Sequence, residues 1–402
     1  MKTKKFSKLI ALFLALVMVM GLCACGGNNS ASEGNNAKKE ENTGTTDIQI
    51  SEKDDKTDGD TAEAPITRII TDMLGREVEI PTEINTIICN GSNALRMVSY
   101  LQATDMMVGV EETDKGYETS TKRDYAHAYY DIFKDMHPIG KGGGTAYTAY
   151  PEEILKVNPD VILTCFVQEA AEQLQNETGI PVVSIRCPSA NFIDENWYAA
   201  LRLTAELTGR QERCEELLGY IDDVKADLKE RSSGVADEDK PSVYTGAVTF
   251  SGGHGFAGTY ANFGPFLAID AKNVADETGE KAAFEVDLEK VLVWDPDIIF
   301  LDPGNMNLVN DEYASNPDYF HSLTAVQNGE VYTMPSFNNY STNITYCIMN
   351  AYHAGKILYP EQFADVDLEA KSTEIMNEFL GTAFYDDMQA DGLYYGKLTL
   401  GE

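Results

Sequence analysis

The chain has 402 residues, enough for two or three domains at about 100–200 residues each. Hydrophobic residues make up 43%, which excludes a wholly disordered chain, and the Gly, Pro and Cys levels exclude a collagen or a small disulfide scaffold. Sixty-five acidic residues against 31 basic ones give a formal net charge of −34, which argues against nucleic acid or an anionic bilayer surface as the main partner and for a basic one.

Lys2, Lys4, Lys5 and Lys8 form a basic start, and residues 10–20 are continuously apolar. That run is shorter than the ~20 residues that span a bilayer, so 1–24 reads as an export signal. Leu22-Cys23-Ala24-Cys25 resembles a bacterial lipobox, which implies cleavage before Cys25 and a diacylglycerol on its sulfur. Residues 25–64 are polar and carry almost no large apolar side chain. Such a segment cannot bury enough surface to offset its ordering entropy, so it is expected to be a flexible tether. The folded body is then extracytoplasmic, held to the membrane through Cys25, and expected to be a monomer.

From residue 66 the chain alternates short apolar runs with helical stretches. Residues 86–90 predict a buried strand that stops at Gly91. Ser92 is a good N-cap for a helix over 94–101. Further strands are expected at 106–110, 161–166 and 182–186. A helix is expected over 194–207, and a long amphipathic one over 211–231, with Leu217, Leu218, Ile221, Val224 and Leu228 on one face. A charged loop follows, and a new alternating region begins at Val243. Strand–helix alternation implies mostly parallel, doubly wound, Rossmann-like α/β sheets. The expected organisation is a lobe over 65–207, a connecting helix and loop over 208–240, and a second lobe over 241–402.

An internal repeat supports the two lobes. Residues 152–163, with Glu152, Ile154-Leu155, Pro159-Asp160 and Val161-Ile162, read as helix, turn and buried strand. Residues 289–300 repeat that form 137 positions later, with Glu289, Val291-Leu292, Pro296-Asp297 and Ile298-Ile299. Proline ends each helix and the aspartate sets up the turn.

Five cysteines lie beyond Cys25: Cys89, Cys165, Cys187, Cys214 and Cys347. They form no CxxC pair or Cys/His cluster, so a structural zinc site has no support. They read as small buried hydrophobes, and a Cys165–Cys187 bridge requires neighbouring strands. No nucleophile elbow, zinc-protease pair or phosphate loop is present, and Gly140-Lys141-Gly142-Gly143-Gly144 lacks the spacing of a Walker loop, so an enzyme is not expected.

Doubly wound lobes bind ligands beyond the carboxyl ends of their strands. Those positions hold Ser92, Lys141, Tyr147, Phe166, His254, Phe337 and Tyr340. Aromatic walls suit a bulky, partly planar ligand, and Lys141 is the clearest cation for an anionic one. Arg96 either reaches the cleft mouth or caps a neighbouring carbonyl. His254, among glycines, either presents an imidazole to haem iron or cobalt or bonds to backbone as a loop histidine.

An export signal, two α/β lobes and one joining helix resemble a bacterial ABC-transporter substrate-binding lipoprotein of the iron–siderophore, haem and cobalamin periplasmic-binding family. The resemblance runs over 66–385 and rests on Thr71-Asp72-Met73-Leu74-Gly75-Arg76, on Gly91-Ser92-Asn93-Ala94-Leu95-Arg96, on the Pro-Asp repeats, on 336–343 and on 354–360. It implies the class III fold of that family, with a rigid helix between lobes and small lobe closure. It implies an iron(III)–siderophore ligand first, a haem or corrinoid complex next, and no intrinsic cofactor or directly bound metal. A non-transport surface sensor of the same fold is the remaining alternative. The partners implied are an ABC importer permease and its ATPase, with Glu152 and Glu289, one per lobe, meeting arginines of the permease.

Overall fold

Two separate parallel sheets, one per half, carry the chain (a computed structural model that describes residues 66–186 and 194–401). The export signal, Cys25, the tether and Cys187 lie outside the described residues. No helix among the described residues is long and apolar enough to cross a membrane.

The first half opens on an antiparallel hairpin, β1 (Thr67–Thr71) and β2 (Glu77–Pro81). Its turn is built on the buried Asp72. One carboxylate oxygen accepts from the backbone of Leu74 (2.9 Å) and Arg76 (3.0 Å); the other takes the Arg76 guanidinium and the Ser184 N–H (3.1 Å), which docks the hairpin on the sheet. That sheet runs β3 (Ile87–Asn90), β6 (Val161–Thr164), β7 (Val182–Ser184), with a parallel pair β4 (Gly109–Val110) and β5 (His137–Pro138) attached through an Ile87–Met107 bridge. The second half contains β8 (Ser242–Gly246), β9 (Gly258–Tyr260), β10 (Lys272–Asn273), β11 (Ala283–Glu285), β12 (Ile298–Leu301) and β13 (Val331–Thr333). Its sheet has the order β10-β8-β12-β13, all parallel, and β9 and β11 pair antiparallel. β3, β6 and β12 are buried along their whole length, as strands covered on both faces must be.

The connecting helix spans Gln211–Ser232 and buries Leu217, Leu218, Ile221, Val224 and Leu228, the face read from the sequence. One apolar core runs from Ile87 and Cys89 of β3, through that helix, to Val243 and Phe300 of the second sheet and to the helix Ile344–Leu358. Smaller clusters cover the outer face of each sheet. The described residues therefore form one compact unit.

The repeat appears at full register. Helix Pro151–Val157 leads to β6, and helix Leu288–Trp294 leads to β12. Each helix ends on a left-handed residue, Asn158 (φ 46°, ψ 63°) and Asp295 (φ 41°, ψ 64°). The aspartate after each proline then fastens the neighbouring strand. Asp160 accepts from Asn85 N (2.8 Å), Thr86 N (2.9 Å) and Thr86 Oγ1 (3.1 Å) at the start of β3; Asp297 accepts from Ser242 N (2.8 Å) and Oγ (2.6 Å) at the start of β8.

Two expectations are corrected. Ser92 is not the N-cap: the helix is Ala94–Tyr100 and the cap position is Asn93, at φ 80°. The chain must turn sharply here because the Ser92 N–H is committed to the Gly144 carbonyl (2.9 Å). The strand expected at 106–110 is only Gly109–Val110, because 104–106 winds into a short helical turn. Cys89, Cys165, Cys214 and Cys347 are buried and form no disulfide with one another.

Asp160→Ala is expected to lower the unfolding free energy by about 1–3 kcal/mol, since it strands partly buried N–H donors. Asp297→Ala, at an exposed site, should cost less. Urea denaturation of both variants checks the order.

Candidate functional site

The carboxyl end of β3 sets one wall of the cleft between the lobes. At Gly91 (φ +85°) a Cβ would sit 2.9 Å from the Gly144 carbonyl and 3.1 Å from the Phe166 ring, so only glycine allows that approach. The 140–149 loop lies against it, closed by an antiparallel bridge between Gly140 and Ala149. Lys141 is exposed on this loop, Ser92 is half-buried beside it, and Tyr147 covers the buried Phe166 with ring centroids 5.9 Å apart. The Tyr147 hydroxyl donates to Glu177.

Glu111, just after β4, is buried behind this wall. Its Oε1 accepts from Gly91 N (3.1 Å) and Asn90 Nδ2 (3.2 Å), and its Oε2 from the Tyr340 hydroxyl (2.6 Å) of the opposite lobe. Burial pushes the Glu111 carboxyl up, against the lowering effect of the Tyr340 bond. The same hydroxyl accepts from Gly143 N (3.1 Å), so Tyr340 joins the two lips of the cleft.

The 336–343 loop that carries Tyr340 is held from the first lobe. Tyr340 (φ 53°) and Ser341 (φ 77°) are both left-handed, a conformation that non-glycine residues adopt only when held there. Arg96 supplies much of that hold. Its Nη1 donates to the Tyr340 carbonyl (2.8 Å), its Nη2 to the Asn339 carbonyl (2.8 Å) and Asn343 Oδ1 (2.8 Å), and its Nε to Asp124 (3.3 Å). Arg96 has no solvent exposure. Of its two sequence readings, the cleft-mouth contact is therefore corrected: the guanidinium caps carbonyls between the lobes. Asp124 in turn accepts from the Tyr100 hydroxyl (2.5 Å) and Thr345 Oγ1 (2.8 Å). Arg123 bonds Asp114 (2.7 Å) and Asn339 Oδ1 (3.1 Å), and its guanidinium lies 4.3 Å from the centroid of the Tyr340 ring.

The second lobe offers a cavity of about 200 Å³, lined by Thr249, Asp302, Asn305, Ser336 and Asn338, and by Lys122 of the first lobe. Asp302, just beyond β12, organises it. The carboxylate accepts from Gly304 N (2.9 Å), Thr249 Oγ1 (3.1 Å), Ser336 N (3.3 Å) and Asn305 Nδ2 (3.2 Å). Burial pushes its pKa up to about 6 despite these bonds. Phe337 is buried behind the loop, against Tyr260 and Phe263, rather than lining the cleft.

His254 stacks on Phe250 at 3.7 Å between centroids. Its Nδ1 lies 2.9 Å from a Glu285 oxygen and its Nε2 2.8 Å from the Phe250 carbonyl. Both ring nitrogens are engaged, so the axial-ligand reading is corrected to a loop histidine bonded to backbone and carboxylate. No group of three or more His, Cys, Asp or Glu among the described residues is placed to hold a bare metal ion. Of the other residues read from sequence, Ser92, Tyr147 and Tyr340 are half-buried and Lys141 is exposed. Glu111 falls among the strand-end positions that the sequence marks, whereas Asp302 and Lys122 were not singled out, because their environment comes from distant segments. Glu152 and Glu289 stand exposed in the first turns of their helices.

Arg96→Ala should cost about 3–5 kcal/mol, because Asp124 is left charged and buried without its partner. Chemical denaturation measures it. The Asp302 carboxyl, raised to about 6, holds a proton between roughly pH 4 and 6 that the unfolded chain has released. Stability from this group therefore falls as pH rises through that window. Asp302→Asn should remove the fall, so the stability difference between wild type and variant shifts by about 2–3 kcal/mol from pH 4 to 6.5.

The profile of the family described as periplasmic binding protein matches residues 87–337. The chain is 25% identical over 356 residues to the molybdate-binding protein MolA of Haemophilus influenzae, covering 80% of this chain and 93% of that one. It is 26% identical over 223 residues to the iron-uptake system-binding protein of Bacillus subtilis, covering 52% of this chain and 65% of that one. Its fold is similar to a periplasmic solute-binding protein of Veillonella parvula, with a TM-score of 0.63, 22% identity, and coverage of 82% and 97%.

Proposed function

From the premise that the chain belongs to the periplasmic binding protein family, and so is a solute-binding protein of an ABC importer rather than an enzyme, we propose that it captures an iron(III)–siderophore or a related haem or corrinoid chelate and delivers it to the permease. The observation that carries this reading is the cleft between the lobes. Half-buried rings stand on loops of both lobes: Tyr147 in the first, Tyr340 and the Phe250–His254 stack in the second. Such rings offer flat apolar area to a chelate's organic shell, and Ser92 and Lys141 add polar contacts at its edge. The iron-uptake relative supports this reading.

A second reading is a small oxyanion. The cavity of about 200 Å³, with Lys122 beside hydroxyl and amide donors, is below the ~300–1,000 Å³ of drug-sized sites. The molybdate-binding relative supports it. On either reading the protein works outside the cytoplasm as a monomer, tethered through a lipid on Cys25. Glu152 and Glu289 would meet basic side chains of the permease, one from each lobe.

A thermal-shift screen against ferric siderophores, haemin, cobalamin and molybdate separates the readings. A ligand at 100 times its Kd adds about 2.7 kcal/mol. A shift with molybdate alone rejects the chelate reading, and silence across the panel rejects both. Glu152→Arg combined with Glu289→Arg should abolish uptake and leave ligand affinity unchanged, as radiolabelled uptake and titration would report.

A further inference from the structure

The two helices that begin near Glu152 and Glu289 share a second feature. Three residues after each glutamate a leucine faces solvent: Leu155 is 47% exposed and Leu292 37%. The pair keeps the offset of 137 positions. One exposed leucine needs no explanation. The same exposure at matched places in two lobes does, because neighbouring positions differ: Glu153 matches Lys290, and Lys156 matches Val293. Eight large apolar side chains stand exposed among the described residues. Three of them, Leu155, Leu292 and Val293, sit on these two seven-residue helices, too dense a clustering for scatter.

Their place in the fold gives the feature meaning. In a parallel sheet the preceding helix runs back along the strands, so its first turn lies beside their carboxyl ends. Glu152 follows the 140–149 loop of the first wall, and Glu289 follows β11, whose Glu285 bonds His254. Each helix start therefore flanks the cleft, one on each side. Among the described residues neither glutamate has an ion pair, whereas Glu153 is tied to His137 and Lys156, and Lys290 to Glu277.

Taking Glu152 and Glu289 as the docking residues read above, we propose that Leu155 and Leu292, one turn on, give each docking footprint an apolar contact with the permease. This rests on the transport reading above. Two matched footprints fit a partner with two like halves. A chain of net charge −34 fits a basic one, so each half of the permease offers a cation beside an apolar hollow. Val293, 77% exposed where the other lobe has Lys156, makes the second-lobe footprint the more apolar of the two.

The test uses the full chain and its cognate permease–ATPase complex in nanodiscs, with binding read by interferometry at two salt concentrations. Leu155→Ser and Leu292→Ser should each weaken binding at least threefold, and together at least tenfold. That loss should be the same at low and high salt, while the loss from Glu152→Arg with Glu289→Arg should shrink as salt rises. Unchanged urea midpoints confirm that the exposed substitutions leave the fold intact. Binding of the leucine pair within twofold of wild type, with the glutamate pair inactive, overturns the footprints and spares the transport reading. Wild-type binding by both pairs overturns the transport reading itself. Loss from one leucine alone overturns the twofold arrangement.

Discussion

The buried guanidinium of Arg96 is the contact on which the geometry of the cleft depends. It belongs to a helix of the first lobe, yet three of its acceptors are on the 336–343 loop of the second. A charge with no access to water must be matched, and Asp124 and three oxygens match it. Those bonds fix where the loop crosses between the lobes. They hold Tyr340 and Ser341 in left-handed backbone that these residues would otherwise leave. Tyr340 is then aimed at Glu111 and Gly143 across the gap. The position of the cleft lip thus follows from one arginine about 244 residues away in the chain.

Much of the fold was legible because its causes are local. The connecting helix announces itself through apolar spacing, and the structure buries that face. The Pro-Asp repeat announces two lobes, and the structure gives the reason for both residues. Proline stops each helix, and Asp160 and Asp297 collect the first N–H groups of the neighbouring strand. Neither partner strand is adjacent in sequence, so the motif was readable while its purpose was not.

The site was less legible. Arg96 has acceptors more than 240 residues away, and no window of sequence contains them. His254 lies among glycines that promise freedom, but Glu285 and Phe250 occupy both its nitrogens. Phe166 and Phe337 were read as walls because aromatic residues follow strands there; both are buried, whereas Tyr147 and Tyr340 are only half-buried. Asp302 gave no signal beyond an ordinary acid after a strand, since its character comes from burial and four donors gathered from three segments.

The shared apolar core carries a consequence for the halves themselves. They share the helix–Pro-Asp–strand unit, yet β3, the joining helix and the helix Ile344–Leu358 bury side chains in the same cluster. Neither half closes its own interior. A chain cut at the loop before β8 would expose that seam on both fragments, so each half depends on the other, and melting is expected as a single cooperative event rather than lobe by lobe.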